Sequence, residues 1–309
     1  ALEISYIGQY AFADTALSGF YLSNSSCTIS NNAFEQCKSL TRLILTVNTI
    51  GSYAFYECTA LNKGTSDGVI QISAKTLINS VFMAALHKKY KITTSNIKDG
   101  AFKNCSGLTT ITINKHIDDN YTKVSSSAFT NCNSINSVTL NTILTEANDN
   151  NKDIFKSSKS TITALIIKSN AASISQEIFK GYSNIATIDL SNATSLANIY
   201  ADAFNGCTGI KSALVFTTAL YKIYSKHLRI VLDPTVDFSR CTNLEEVNSG
   251  AFNGCSNISQ PVNFSNTKLT YLATTHSGIA QKLLPQIYSL LVLAILAAIV
   301  LMDVQTYLA

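Results

Sequence analysis

The chain has 309 residues, 46% of them apolar and only 14% charged, with a formal net charge of +4. That apolar content excludes a disordered protein, and so small a net charge excludes a dedicated nucleic-acid binder. Polarity comes instead from 36 Ser, 32 Thr and 28 Asn, and eight Cys in this length fall short of a disulfide scaffold.

Read from the N-terminus, one short string keeps returning. Ala11-Phe12 with Thr15 opens the series, and Ala-Phe-x-x-Cys follows at Ala33–Cys37, Ala54–Cys58, Ala101–Cys105 and Ala128–Cys132. Val81-Phe82 with Ala85 is a weak copy. Ile154-Phe155 with Ser158 and Ile178-Phe179 with Tyr182 are degenerate ones. Then come Ala203–Cys207, Asp237-Phe238 with Cys241, and Ala251–Cys255. An aliphatic residue precedes the Phe by five positions, as at Ile7, Ile29, Ile50, Ile97, Val124, Ile174, Ile199 and Val247. Six positions after the Phe stands Leu or Ile, and an alternating apolar pair follows, such as Leu43/Leu45, Ile111/Ile113, Val138/Leu140 and Ile188/Leu190.

Alternation over two residues marks a short strand with one face inward. The spacing of Phe and Cys, three apart, predicts one helical or 3-10 turn. A unit of about 22–26 residues cannot hide its apolar face alone, so it must lie on a neighbour. The expectation is an α/β repeat solenoid of short parallel strands and helical or 3-10 turns, with about 10–11 rows. It fills residues 1–270, with irregular rows near 63–98 and 142–160. At about 4.8 Å per row such a rod is about 50 Å long.

The order Leu-x-x-Ile-x-Leu, Ile, Ala-Phe-x-x-Cys resembles the BspA-type leucine-rich repeat family, from about Ile4 to about Leu269. The family often places Pro after the strand, where this chain has Thr46, Asn114 and Asn141. The resemblance implies a leucine-rich repeat fold and a surface or secreted protein of bacteria or anaerobic protists living on mucosal tissue. It also implies adhesion to extracellular matrix or host-cell surface proteins or glycans.

The C-terminal segment differs. Leu283–Met302 is a run of twenty residues without a charge, about the length needed to cross a hydrocarbon core. Residues 271–285 therefore read as a juxtamembrane linker, 286–303 as a transmembrane helix and 304–309 as a short tail. The reading is a single-pass plasma-membrane protein at the cell surface. A glycolipid anchor with Ser277-Gly278 as cleavage site is the rival, and a secreted form is a further one. The chain begins at Ala1, without Met and without a visible signal peptide.

Chemistry is sparse in the sequence. Seven Cys occupy one repeat position, where Thr15, Ser158, Tyr182 or Ala85 stand in other rows. A small core filler explains them better than a disulfide framework. No metal site is expected, because Cys and His do not cluster, and no cofactor is implied. His87, His116, His227 and His276 are scattered, and the usual catalytic motifs are missing, so an enzyme is not expected. Lys88-Lys89-Tyr90-Lys91 reads better as a solvated edge of an irregular row than as a contact for acidic glycans or phospholipid heads.

The outward strand positions remain as the candidate binding face. They are Arg42, Ile44 and Thr46; Thr110, Thr112 and Asn114; Ser137, Thr139 and Asn141; Thr187, Asp189 and Ser191; and Ser212, Leu214 and Phe216. Ile44, Leu214 and Phe216 are unusually apolar for such sites. The alternative is a passive coat or spacer without a specific ligand.

Overall fold

The computed structural model describes residues 3–63, 69–85, 87–146, 153–211, 214–224, 236–248 and 262–272. The chain winds into a parallel β-solenoid with two columns of strands. The first column stacks Gly19–Ser23, Arg42–Ile50, Ile70–Leu77, Lys89–Thr94, Thr110–Lys115, Ser137–Asn141, Ala164–Ile167 and Thr187–Asp189. The far ends of Arg42–Ile50 and Ile70–Leu77 also enter the second column, between Tyr6–Ile7 and Thr28–Ile29 on one side and Asn96–Ile97 and Tyr121–Val124 on the other. It is in this second column that Ile7, Ile29, Ile50, Ile97 and Val124 point inward.

Apart from the 3-10 turn after Phe155, the described turns around the repeated Phe are not helical. Among the described residues the 3-10 segments are Thr59–Lys63 and Lys156–Ser158, and no α-helix occurs. In most described rows the residues two before and two after the Phe take left-handed backbone: Asn32 and Gln36 around Phe34 (φ 57° each), Gly100 and Asn104 around Phe102 (φ 62° each). The Phe N–H leaves its own row. Phe34 N–H donates to Ala54 O at 2.8 Å, Phe55 to Val81 O at 2.9 Å, and Phe82 to Ala101 O at 2.7 Å. A helix would spend that donor four residues back along the chain. Here the neighbouring row takes it, and the i, i+3 spacing of Phe and Cys survives as a chain of tight turns.

That hydrogen bonding sets the ring spacing. Phe12, Phe34, Phe55, Phe82, Phe102 and Phe129 stack at 4.9–5.3 Å with interplanar angles of 9–17°. Phe155 breaks the pattern at 34°, in the row whose turn is the 3-10 segment Lys156–Ser158. Beyond it the second column restarts as Ser173–Ile174, Asn198–Ile199, Lys222–Ile223, Glu246–Val247 and Tyr271–Leu272. The last pair extends the rows past residue 270, into the stretch expected to be linker.

The expected irregularity near 63–98 is absent over 69–98 apart from residue 86, which is not described. Ile70–Leu77 pairs in register with Arg42–Ile50, and Lys89–Thr94 pairs with Thr110–Lys115. The sequence hid this row because Val81-Phe82-Met83-Ala84-Ala85 keeps only the Phe of its motif. Beside the small Ala85 the row carries the large Tyr90, fully buried near Cys58, Cys105 and Cys132 and edge-on to Phe102 at 5.3 Å.

Candidate binding surface

Parallel pairing without slippage brings alternate residues of the first column into files along the solenoid. One file runs Tyr21, Ile44, Gln71, Lys91, Thr112, Thr139, Ile166, Asp189. Beside it lies a file containing Gly19, Arg42, Lys89, Thr110, Ser137, Ala164 and Thr187. Of the expected positions, Arg42, Ile44, Thr187, Asp189 and Ser191 are exposed, and Thr46, Thr110, Thr112 and Ser137 are half-buried. Ser212 lies outside the described residues.

Several expected positions do not face solvent freely. Leu214 and Phe216 point into the core, each 2% exposed, and Val215 between them is 46% exposed. The strand phase is the reverse of the one expected: Phe216 stacks on Phe238 at 4.8 Å. Their apolar character is thereby explained by burial. Thr139 is also buried, at 6%. Asn114 and Asn141 form a ladder at the strand ends. Asn114 Nδ2 donates to Ile92 O at 3.2 Å, Asn141 Nδ2 to Asn114 Oδ1 at 3.1 Å, and Asn170 N–H to Asn141 Oδ1 at 3.0 Å. Those amides hold the rows together at the place where the family often has Pro.

Other residues on the face were missed. Tyr21 is 70% exposed beside Ile44, which is 45% exposed. Lys89 and Lys91 flank the buried Tyr90, so the basic cluster is a regular central strand with both ammonium groups outward. Alternation in Lys-Tyr-Lys-Ile-Thr was the available signal. No ion pair involves Arg42, Lys89 or Lys91 among the described residues. Lys159, Lys180 and Lys222, by contrast, are paired with Asp153, with Glu177 and Asp202, and with Glu246.

The thiols of the repeat position lie at the ends of the Phe turns, and five of them serve as donors. Cys37 Sγ donates to Phe12 O at 3.0 Å, Cys58 to Phe34 O at 3.1 Å, Cys105 to Phe82 O and Cys132 to Phe102 O at 2.9 Å, and Cys207 to Phe179 O at 3.1 Å. Ser158 takes over the role in its row by donating to Cys132 O. The seven described cysteines are free and buried. Burial pushes the Cys207 and Cys241 thiols up to about 12, with the charge of Asp237 adding to the effect at Cys241.

A shallow cleft of about 170 Å³ lies on the second column, lined by Asn96, Asp99, Lys123 and Ser125 among others. The Asp99 carboxylate there accepts from the Ser125 and Ser127 hydroxyls. Among the described residues no group of three or more His, Cys, Asp or Glu is placed to hold a metal ion.

A family model of the BspA type leucine rich repeat region matches residues 5–118 and 95–231, in six copies. The chain belongs to the BspA-type leucine-rich repeat family. Among solved structures it is similar to a leucine-rich repeat protein from Bacteroides ovatus ATCC 8483, at 16% identity and a TM-score of 0.32, covering 86% of this chain and 87% of that one. It is also similar to a leucine rich cell surface protein from Faecalibacterium prausnitzii A2-165, at 14% identity and a TM-score of 0.26, covering 89% and 84%. None of the curated proteins matches the chain. In this BspA-type chain the Phe-to-Cys turn stacks one row on the next.

Proposed function

We propose that this BspA-type chain is a membrane-anchored cell-surface protein that binds extracellular matrix or host macromolecules through its first strand column. The observation that carries the reading is Tyr21 and Ile44, exposed side by side on the first two strands of the column, where most later rows of that file present polar residues such as Gln71, Lys91, Thr112 and Asp189. Large apolar groups on an open face mark contact surfaces more often than scattered polar ones do. Thr110, Thr112 and Ser137 suit a sheet facing water and frame the contact without defining it.

The anchor reading is supported by the twenty uncharged residues Leu283–Met302, which lie outside the described residues. Among the described residues no helix is long and apolar enough to cross a membrane. Deleting Leu283–Ala309 should move the protein from the membrane to the soluble fraction of cells, and continued sedimentation with membranes would refute the anchor.

The binding test uses the full chain against a panel of matrix proteins and glycans, with the double variant Tyr21→Ala, Ile44→Glu. A loss of about tenfold or more in affinity is expected. Unchanged binding would place the contact elsewhere, and a panel without any binder would favour a passive coat.

A further inference from the structure

We infer that the basic part of the strand face is a site for an extended sulfated polysaccharide. The inference rests on the proposed binding role of that face and names the chemistry of the partner.

Charge in rows 19–115 is segregated by side. The described acidic residues of that stretch are Glu35, Glu57 and Asp99, all outside the first strand column: two sit in the Phe turns and one follows the second column. Among charged residues the outward strand positions carry only cations: Arg42, Lys89 and Lys91, with Lys75 further along Ile70–Leu77. Lys89 and Lys91 are two residues apart on one strand, about 6.6 Å. Arg42 shares a file with Lys89 two rows away, about 9.6 Å. Lys89 and Lys91 thus lie within one screening length at physiological salt, about 8 Å, with Arg42 just beyond it, and no described carboxylate pairs with any of them. Such a cluster raises the local potential and attracts a polyanion.

The surroundings narrow the polyanion. Strands on either side consume the backbone N–H and C=O groups of Lys89–Thr94, so an acidic peptide finds no sheet edge to extend. Single-stranded nucleic acid needs several aromatic platforms, and this face offers Tyr21 alone among its described strand residues. A sulfated polysaccharide needs neither. Its sulfates can lie against Arg42, Lys89 and Lys91, its hydroxyls can bond Gln71, and the apolar face of a sugar ring can rest on Tyr21.

The test measures binding of the purified full chain to heparin and to uncharged dextran by calorimetry, beside two charge-matched variants. Lys89→Gln, Lys91→Gln removes two cations from the strand face. Lys38→Gln, Lys103→Gln removes two exposed cations from the turn side. Heparin binding that weakens with added salt is expected, with no dextran binding. Affinity should fall about tenfold or more in the strand-face variant and less than about twofold in the turn-side variant, with circular dichroism unchanged in both. Equal losses in the two variants, no heparin binding, or equally tight binding of duplex DNA or phosphatidylserine vesicles would each overturn the assignment. If heparin fails while a matrix protein still binds and is lost in the Tyr21→Ala, Ile44→Glu variant, the face remains a binding surface and only its polysaccharide ligand is refuted.

Discussion

Replacing Phe102 by Ala tests the stacking directly. The ring is fully buried, lies parallel to Phe82 and Phe129 at 5.2 Å, and meets Tyr90 edge-on at 5.3 Å. Phe-to-Ala changes in packed cores cost about 3–5 kcal/mol, depending on how far the site collapses. Collapse is opposed here. Phe82 N–H to Ala101 O, Phe102 N–H to Ala128 O and Cys132 Sγ to Phe102 O pin the rows above and below at 2.7–2.9 Å. The upper end of the range, about 4–5 kcal/mol, is therefore expected. Phe12 gives the comparison. It is half-buried in the first Phe row and has one parallel neighbour, Phe34 at 4.9 Å, so Phe12→Ala should cost about 1–2 kcal/mol. The chain has no Trp, so urea unfolding is best followed by far-ultraviolet circular dichroism with tyrosine fluorescence as the second probe. A cost below about 1.5 kcal/mol for Phe102→Ala, or one no larger than that of Phe12→Ala, would refute the argument.

The thiol bonds predict that Cys105→Ala costs about 0.5–1.5 kcal/mol beyond its lost volume by removing one of the two donors to Phe82 O, the other being Ala85 N–H at 3.0 Å, while Cys105→Ser, which keeps a donor, costs less; thermal melts giving equal costs or the reverse order would refute a role for the bond. Cys207 and Cys241 have folded values of about 12 against an ordinary 9.0. The unfolded chain therefore releases these protons first, and their contribution, complete below pH 9, is lost as pH rises towards 12. Melts at pH 7, 9 and 10.5 check this, and a flat profile would count against it. At the left-handed positions, Glu57→Gly should stabilise by about 0.5–1 kcal/mol, because relief of side-chain crowding exceeds the added chain entropy. Gly206→Ala should destabilise, since φ is +83° and a Cβ would meet Gly181 Cα at 3.2 Å; a neutral melt for either substitution would refute the strain argument.

Much of the fold was legible because Phe, Cys and the aliphatic residue five before the Phe recur in nearly every row. Periodicity reports which residues face inward, and the described Phe residues of the motif are buried or, at Phe12, half-buried. It does not report where a backbone donor goes. The Phe turn therefore looked helical, although Phe34 N–H is spent on Ala54 O in the next row. The site was harder to read for two reasons. Strand phase at Leu214-Val215-Phe216 depends on the stacking of Phe216 against Phe238, a partner more than twenty residues away in sequence. And the outward polarity of Lys89 and Lys91 was masked by a row whose motif had decayed to Val81-Phe82 with Ala85. Asn114 and Asn141 show a third limit, since a polar side chain on a strand bonds to its counterpart in the next row as readily as to a ligand.

The one-way bonding of the Phe turns also governs how this molecule tolerates change in length. Adding or losing a complete coil shifts everything downstream by one spacing of about 4.8 Å and restores the same contacts at the junction. Adding or losing a single residue inside a strand instead turns every following side chain in that strand to the other face. Distances between contact groups such as Arg42 and Lys89 can thus be retuned in whole steps, like beads on a ruled string, while the chemistry at each step is preserved.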